Sequence, residues 1–324
     1  MVSRRFPPWL VKRLPAPSKA HDVKTLMRRK SLFTVCEEAR CPNLFECFEQ
    51  GTATFMIGGD ICTRTCGYCA VEKGEPAPLD TDEPRHVGEA AASLNLHHVV
   101  VTMVNRDDLL DGAASHVVET IGAIRENLSK ATVEVLVSDF MGNYGAVETV
   151  VNARPDVFNH NIETVHRLFK KTRPRGDYER SLRVIGMARE IDPTMTTKSG
   201  VMVGMGETEE DVMALMEDLR APEVDCQIMT IGQYLQPRKK AIPVAEYIHP
   251  DTFERYRVAG QEKGFAHVFA GPFVRSSYNA REAMLAGQGA SGGENGAGDP
   301  EGRSFMTEDM SGQNVAVGML PIYP

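Results

Sequence analysis

Seven short runs recur along the chain: "TATFMIGG" (52–59), "HHVVVTMV" (97–104), "TVEVLVSD" (132–139), "DVFNHN" (156–161), "KSGVMVG" (198–204), "CQIMTIG" (226–232) and "AHVFAG" (266–271). Most are near-continuously apolar instead of alternating, which is the pattern of a parallel strand covered on both faces. Between them lie helical patterns with charged outer faces, such as "HVVETIGAIRENL" (116–128), "YERSLRVIGMAREI" (178–191) and "EEDVMALMEDLR" (209–220). The βα unit repeats about six times, which predicts an α/β barrel, complete or partial. At 324 residues and 42% hydrophobic content the chain suits one large domain or two modest ones, with enough apolar mass for a core without disulfide staples.

Barrels of this kind carry their chemistry at the C-terminal ends of the strands. Polar clusters stand at those places here. The first strand is followed by Cys62, Cys66 and Cys69, the second by "NRDD" (105–108), the fourth by "NHN" (159–161), the fifth by "GMGE" (204–207) and the sixth by "QYLQP" (233–237). The last leads into "GPFVRSSY" (271–278). Six polar loops on one rim predict a site.

The net charge of −8 argues against a general nucleic-acid coat, and no apolar run approaches the roughly 18 residues of a membrane helix. The expectation is a soluble cytoplasmic protein, in which clustered cysteines are metal ligands or catalytic thiols before they are disulfides. Residues 1–30 carry Arg4, Arg5, Lys12, Arg13, Lys19, Lys24, Arg28, Arg29 and Lys30 against the single acid Asp22. Such an arm suits an acidic partner, or a solvated strap pinned by Trp9 and its neighbouring prolines. Pro7, Pro8, Pro15 and Pro17 oppose the amphipathic helix of a transit peptide. From Gly287 to Arg303 nothing apolar is larger than alanine, and the composition predicts disorder. The expected organisation is an N-terminal extension over 1–50, a barrel over 51–285 and a tail over 286–324.

Six of the seven cysteines fall into two triplets: Cys36, Cys41 and Cys47, spaced Cys-x4-Cys-x5-Cys, and Cys62, Cys66 and Cys69, spaced Cys-x3-Cys-x2-Cys. Structural zinc normally takes four protein ligands and disulfides take an even number, so three is the count of a site left open. Three thiolates around a cubane iron–sulfur cluster leave one iron to an exogenous molecule. Cys226, inside an apolar strand, reads as a small core residue.

The second spacing, with the aromatic Tyr68 before the last cysteine, resembles the signature of the radical S-adenosylmethionine superfamily. In that superfamily the open iron binds S-adenosylmethionine, and the reduced cluster cleaves it to a 5′-deoxyadenosyl radical that takes hydrogen from alkyl carbon. A Gly-x-Ile-x-Gly-x-x-Glu element that packs on adenine is matched by Gly200, Met202, Gly204 and Glu207 in "GVMVGMGE". Tight strand-to-helix turning, with Glu207 at a helix N-terminus, accounts for the same residues, and both readings can hold together.

The first triplet narrows the likeness. With "CEEARCPN", "DICTRTCGYC", "NRDDLLDG", "VFNHNIET", "TKSGVMVGMGET", "GQYLQP" and "GPFVRSSY" in order over about residues 5–285, the chain resembles the lipoyl synthase family. The resemblance implies a partial (β/α)6-type radical S-adenosylmethionine barrel and an enzyme of the sulfurtransferase class. It implies two 4Fe-4S clusters, one on Cys62, Cys66 and Cys69 and an auxiliary one on Cys36, Cys41, Cys47 and Ser277. Ser276 is the alternative ligand, its other reading being the cap of a helix that starts there. The implied reaction inserts two sulfur atoms, taken from the auxiliary cluster, at carbons 6 and 8 of an octanoyl chain. That chain is linked to a lysine of a lipoyl carrier domain, of a 2-oxoacid dehydrogenase E2 component or a glycine cleavage H protein, and a flavodoxin or ferredoxin is the implied electron donor. Asn161 and Glu163 are expected to bond the nucleoside or the substrate amide, and His160 to be structural. Arg275 is expected to bond cluster-bound solvent or the S-adenosylmethionine carboxylate, or to form a rim ion pair. A biotin synthase-like or methylthiotransferase-like enzyme is the nearest rival, and a two-cluster electron-transfer protein the rival of another class.

Overall fold

The structure, a computed structural model, describes residues 6–11, 19–38, 41–44, 47 and 54–277. Arg4, Arg5, Lys12 and Arg13, the helix expected after Ser277 and the tail from 286 lie outside the described residues. Among the described residues one sheet runs β1-β2-β5-β6-β7-β8-β9-β10. Its strands are β1 (Phe33–Thr34), β2 (Thr54–Ile57), β5 (His98–Met103), β6 (Thr132–Leu136), β7 (Val157–Asn159), β8 (Thr197–Val203), β9 (Ile228–Gln233) and β10 (His267–Gly271). A separate parallel pair, β3 (Ile61–Cys62) and β4 (Glu72–Lys73), sits in the loop after β2. From β2 to β10 every pairing is parallel, and β1 alone is antiparallel. The sheet ends on β1 and β10 without closing, so the barrel is partial.

The expected strands and helices form where the apolar pattern put them. Helices Ala114–Asn127, Tyr178–Ile191 and Glu209–Arg220 cover the outer face. Their starts are chemically marked where short polar side chains satisfy orphan amides: Asp177 accepts from Arg180 N, and Thr208 and Asp211 form a reciprocal capping box. Phe55, Ile57, Val99, Val101, Val133, Val135 and Phe158 pack outward on the first helices, and Val201, Val203, Met229 and Ile231 on the later ones.

Because strand side chains alternate, the partners of these residues face the barrel interior. There polar side chains gather among apolar ones: His98, Thr102, Glu134, Asn159, Lys198 and Thr230, with Gly200 and Gly232, beside Met56, Val100, Val157 and Ile228. Lys198 Nζ donates to both carboxylate oxygens of Glu134 at 3.1 Å, and both side chains are completely buried. Asn159 Nδ2 donates to Glu134 Oε1 at 2.8 Å, and His98 Nε2 lies 3.7 Å from Glu134 Oε2.

The N-terminal segment joins this core. Helix Lys19–Arg29 and the turn after it contribute Val23, Met27 and Leu32 to the same apolar cluster as β2 and β5, with Cys36 and Leu44. Ahead of it, Trp9 meets the His249 ring edge-on at 4.9 Å and Phe6 lies 5.5 Å from Tyr247, so this stretch straps onto the body.

Candidate active site at the open rim

The loop with Cys62, Cys66 and Cys69 is fixed by its neighbours on the rim. Pairing of β3 with β4 closes it at the base, and Lys73 Nζ donates to Cys66 O at 2.7 Å. Thr63 N donates to Asn105 O at 3.1 Å, Gly67 N to Thr172 O at 2.8 Å, and Arg238 Nη2 to Cys69 O at 3.2 Å. Arg64, 2% exposed, forks onto Asp107 at 2.8 Å and reaches Asp139 at 2.5 Å, which also holds Arg180 at 2.9 Å. Burial alone would raise Asp139, but the two guanidiniums hold it well below the usual carboxylate range.

The thiols suit soft cations. Arg64 N and Asn105 Nδ2 approach Cys62 Sγ at 3.5 and 3.7 Å. Burial pushes Cys66 up, against the pull of Arg173 and the Tyr68 hydroxyl, and pushes Cys69 up to about 11. Three neighbouring half-buried thiols in this state lose their protons when a cation compensates them. Among the described residues no three His, Cys, Asp or Glu side chains converge on one metal ion. Three thiols on one loop are the donor type that an iron–sulfur cluster takes, so the chemistry of the set suits one.

Around Cys66 lie Tyr68, Glu163 and Arg173, and His160 stands beside Arg173, Asp139 and Arg64. Glu163 continues past β7 along β8, with Glu163 N on Gly200 O at 2.9 Å and Met202 N on Glu163 O at 3.0 Å. Burial raises its carboxyl, against Arg173 and Asn161. Arg173 Nη1 donates to Asn161 O at 3.0 Å, while its Nε is buried without a hydrogen-bond partner. Burial, with Arg173, pushes His160 down to about 4. Its Nδ1 therefore carries the proton toward Val137 O at 2.9 Å, and Nε2 is a buried, unpartnered acceptor. Among the described residues Arg173 Nε is thus an unsatisfied donor near Cys66, and His160 Nε2 an unsatisfied acceptor near Arg173, groups that a polar ligand satisfies. Arg173 escapes sequence reading because "KKTRPRG" looks like a solvated helix end; only tertiary packing buries it.

Gly204 and Glu207 serve the turn. Glu207 accepts from the amides of Gly204 and, at 3.0 Å, Met205. Gly204 has φ +101°, and a Cβ there would stand 2.2 Å from Gln233 Nε2 and 2.5 Å from Glu246 O.

The other triplet sits between the N-terminal segment and the chain's exit from β10. Cys36 is buried in the turn Val35–Glu38, Cys41 N donates to Cys36 O at 3.0 Å, and Cys47 N to Asn43 O at 2.9 Å. Burial, then the neighbouring Cys41, pushes Cys36 up to about 12. Asn43 Nδ2 donates to Phe273 O at 2.7 Å, tying this loop to "GPFVRSSY". Gly232 lets that segment cross β9: a Cβ would stand 2.1 Å from Val274 O. Arg275, whose guanidinium burial pushes down, lies beside Cys41, which opposes that shift, and donates to Val274 O at 2.7 Å. Among the described residues it has no carboxylate in salt-bridge range. Ser276 Oγ accepts from Asn159 Nδ2 at 2.8 Å and donates to Asn161 Oδ1 at 2.9 Å. Ser277 is half-buried and makes no hydrogen bond among the described residues. Cys226 is buried in the core as expected, its Sγ on Ile228 O at 3.4 Å.

A family model for the Radical SAM superfamily matches residues 56–219. A lipoyl synthase of Caldanaerobacter subterraneus is 54% identical over 285 residues, 88% of this chain and 99% of that one. One of Rubrobacter xylanophilus is 52% identical over 276 residues, 85% of each chain. Among solved structures, HydG, a maturase of the FeFe-hydrogenase, aligns with TM-score 0.54 over 83% of this chain and 67% of its own at 15% identity. Streptococcus suis SuiB bound to S-adenosylmethionine aligns with TM-score 0.51 over 75% and 57% at 11% identity. These structural likenesses give the fold, an open α/β barrel. With that fold, its two triplets in order and half of its residues shared along nearly the whole length of such relatives, the chain belongs to the lipoyl synthase family of the radical S-adenosylmethionine superfamily.

Proposed function

We propose that the enzyme converts an octanoyl chain, amide-linked to a lysine of a carrier domain, into the lipoyl group by inserting sulfur at carbons 6 and 8. Two 4Fe-4S clusters would supply the chemistry when bound: one, with S-adenosylmethionine, a carbon radical able to take hydrogen from unactivated alkyl carbon, and the other the sulfur. Cys62, Cys66 and Cys69 hold the first cluster. Cys36, Cys41, Cys47 and Ser277 hold the second. The observation that carries this reading is the placement of two three-cysteine sets on one polar rim, bridged by the chain Ser276–Asn161–Glu163. Either set alone would suit an electron carrier; two sets facing one barrel suit a reaction that abstracts at one and transfers from the other.

The chain's own groups take roles that follow from their surroundings. Arg173 and Glu163 offer a cation and a carboxyl next to Cys66, and His160, beside Arg173, offers an acceptor, together the complement of an amino acid head group. Tyr68, whose hydroxyl burial pushes well above its usual range, stays protonated beside the thiolates. Gly204 and Glu207 shape the turn on which adenine packs. The substrate partner is an octanoylated E2 or H-protein domain, and the reductant a flavodoxin or ferredoxin, in the cytoplasm.

The test is anaerobic incubation with octanoylated carrier, S-adenosylmethionine and a strong reductant, read by mass spectrometry of the carrier lysine. Gain of two sulfur atoms at carbons 6 and 8 is the expected result. Formation of 5′-deoxyadenosine with no sulfur on the carrier would refute the substrate assignment.

A further inference from the structure

The mouth of the barrel contains a chain of hydrogen bonds whose direction is fixed from both ends. At one end, the buried Glu134 accepts from Asn159 Nδ2 at 2.8 Å, so the amide NH2 of Asn159 points at Glu134 and at Ser276 Oγ. At the other, Glu163 accepts from Asn161 Nδ2 at 3.2 Å, so the carbonyl Oδ1 of Asn161 faces Ser276. Neither amide can flip without setting its oxygen against a carboxylate. Ser276 is thereby held as acceptor from Asn159 and donor to Asn161. Its proton is engaged, and removing it would set an alkoxide 2.9 Å from a carbonyl oxygen. The neighbouring hydroxyl, Ser277, has no such engagement among the described residues. Gly200 makes the arrangement sterically possible, since a Cβ there would stand 2.7 Å from Asn161 Oδ1.

We infer that Asn159 and Asn161 are positioning residues for the auxiliary site: by locking Ser276 in a fixed donor–acceptor state they set the segment's register and leave Ser277 as the oxygen offered to the auxiliary iron. The inference rests on the proposed ligand role of Ser277. It assigns Asn159, anchored through Glu134 to Lys198, a part in sulfur delivery although it touches neither cluster triplet. The segment is held on its other flank by Asn43 on Phe273 O and by the crossing over Gly232. Loss of the Ser276 lock removes the described fastening nearest Ser277; among the described residues the others lie upstream of it.

The test uses the full-length, 57Fe-reconstituted holoenzyme, oxidised and saturated with S-adenosylmethionine so that the first cluster has no open iron. Mössbauer spectra are recorded with and without imidazole as the probe ligand. The parent spectrum should not change with imidazole. Ser277→Ala should expose one iron of the auxiliary cluster to imidazole, and Ser276→Ala and Asn159→Leu should do the same in at least half of the molecules at equal iron content. Ser276→Thr, which keeps the hydroxyl, should restore the parent spectrum, a rescue that a role in packing alone would not give. If Ser277→Ala responds while Ser276→Ala and Asn159→Leu behave as the parent, the positioning role is overturned and the ligand role stands. If Ser277→Ala itself behaves as the parent, the ligand role falls, and the inference with it.

Discussion

The ion pair inside the barrel makes the sharpest prediction about stability. Lys198 is fully buried, and its ammonium bonds both oxygens of a Glu134 that is also fully buried. At the observed 3.1 Å and an effective dielectric constant of about 20, the attraction is about 5 kcal/mol, and removing one partner of a buried pair typically costs about 3–5 kcal/mol. Lys198→Met deletes the cation with little change of volume and leaves Glu134 with Asn159 and His98 only. At about 2 °C per kcal/mol for a domain of this size, the thermal midpoint should fall by about 6–10 °C at pH 7. The pH dependence fixes the cause. In the parent, burial acts to raise Glu134, but Lys198, His98 and Asn159 outweigh it and hold the carboxyl below its ordinary value. A depressed folded-state value gives a stabilisation that is present above the ordinary carboxylate range and lost as pH falls through it. Without Lys198, burial dominates and Glu134 folds preferentially as the neutral acid. The deficit of the variant should then be small near pH 4 and widen toward pH 7. Glu134→Gln combined with Lys198→Met should recover more than half of the loss. The assay is anaerobic calorimetry of the reconstituted protein between those pH values. A deficit below about 2 °C that does not vary with pH would refute the assignment of the pair as an interdependent buried unit.

Three further outcomes are expected. Cys66→Ala should abolish 5′-deoxyadenosine formation, whereas Cys41→Ala should keep some of it and form no lipoyl product; wild-type product from the second variant, by mass spectrometry, would break the division of roles. Gly232→Ala, whose new methyl would stand 2.1 Å from Val274 O, should lift the 274–277 segment and lower sulfur insertion at least tenfold while 5′-deoxyadenosine formation persists, as parallel product assays would show. Charge reversal at Arg4, Arg5, Lys12 and Arg13 should raise the carrier KM at low ionic strength, and the difference should shrink as salt screens it; an unchanged KM at low salt would exclude the arm from docking.

The strands and the site were legible to different degrees. Apolar runs such as "HHVVVTMV" announce strands because burial on the helix-covered face needs only hydrophobicity, which composition displays directly. The two-residue strands Phe33–Thr34, Ile61–Cys62 and Glu72–Lys73 are too short for any periodicity to register. The cysteine triplets and the rim loops were legible since ligand spacing is local. The partners that polarise them were not: Arg64 meets Asp139 from 75 positions away, and Asn159 meets Ser276 from 117. One signal did stand in the sequence. A glutamate in the middle of "TVEVLV" and a lysine opening "KSGVMVG" interrupt otherwise apolar strands, and charges in such places need each other. Period-2 alternation puts both on the inner face, so a barrel with polar groups in its interior was readable from those two residues. The ambiguity between Ser276 and Ser277 was not, since adjacent serines differ only in what each touches.

The hydrogen bond from Asn43 to Phe273 spans 230 positions of the chain. Because domains form as the ribosome delivers them, N-terminal parts first, the surroundings of the two cysteine triplets are completed at different times. The loop of Cys62, Cys66 and Cys69 closes on a strand pair eleven residues apart and on the next rim loop, and its last described fastenings are Arg238 and Ile242. The pocket of Cys36, Cys41 and Cys47, although its cysteines are made earlier, is completed only when the last strand and the segment after it have been synthesised. If the proposed ligand roles hold, a truncation before residue 273 should leave a protein that loads one cluster and cannot hold the other.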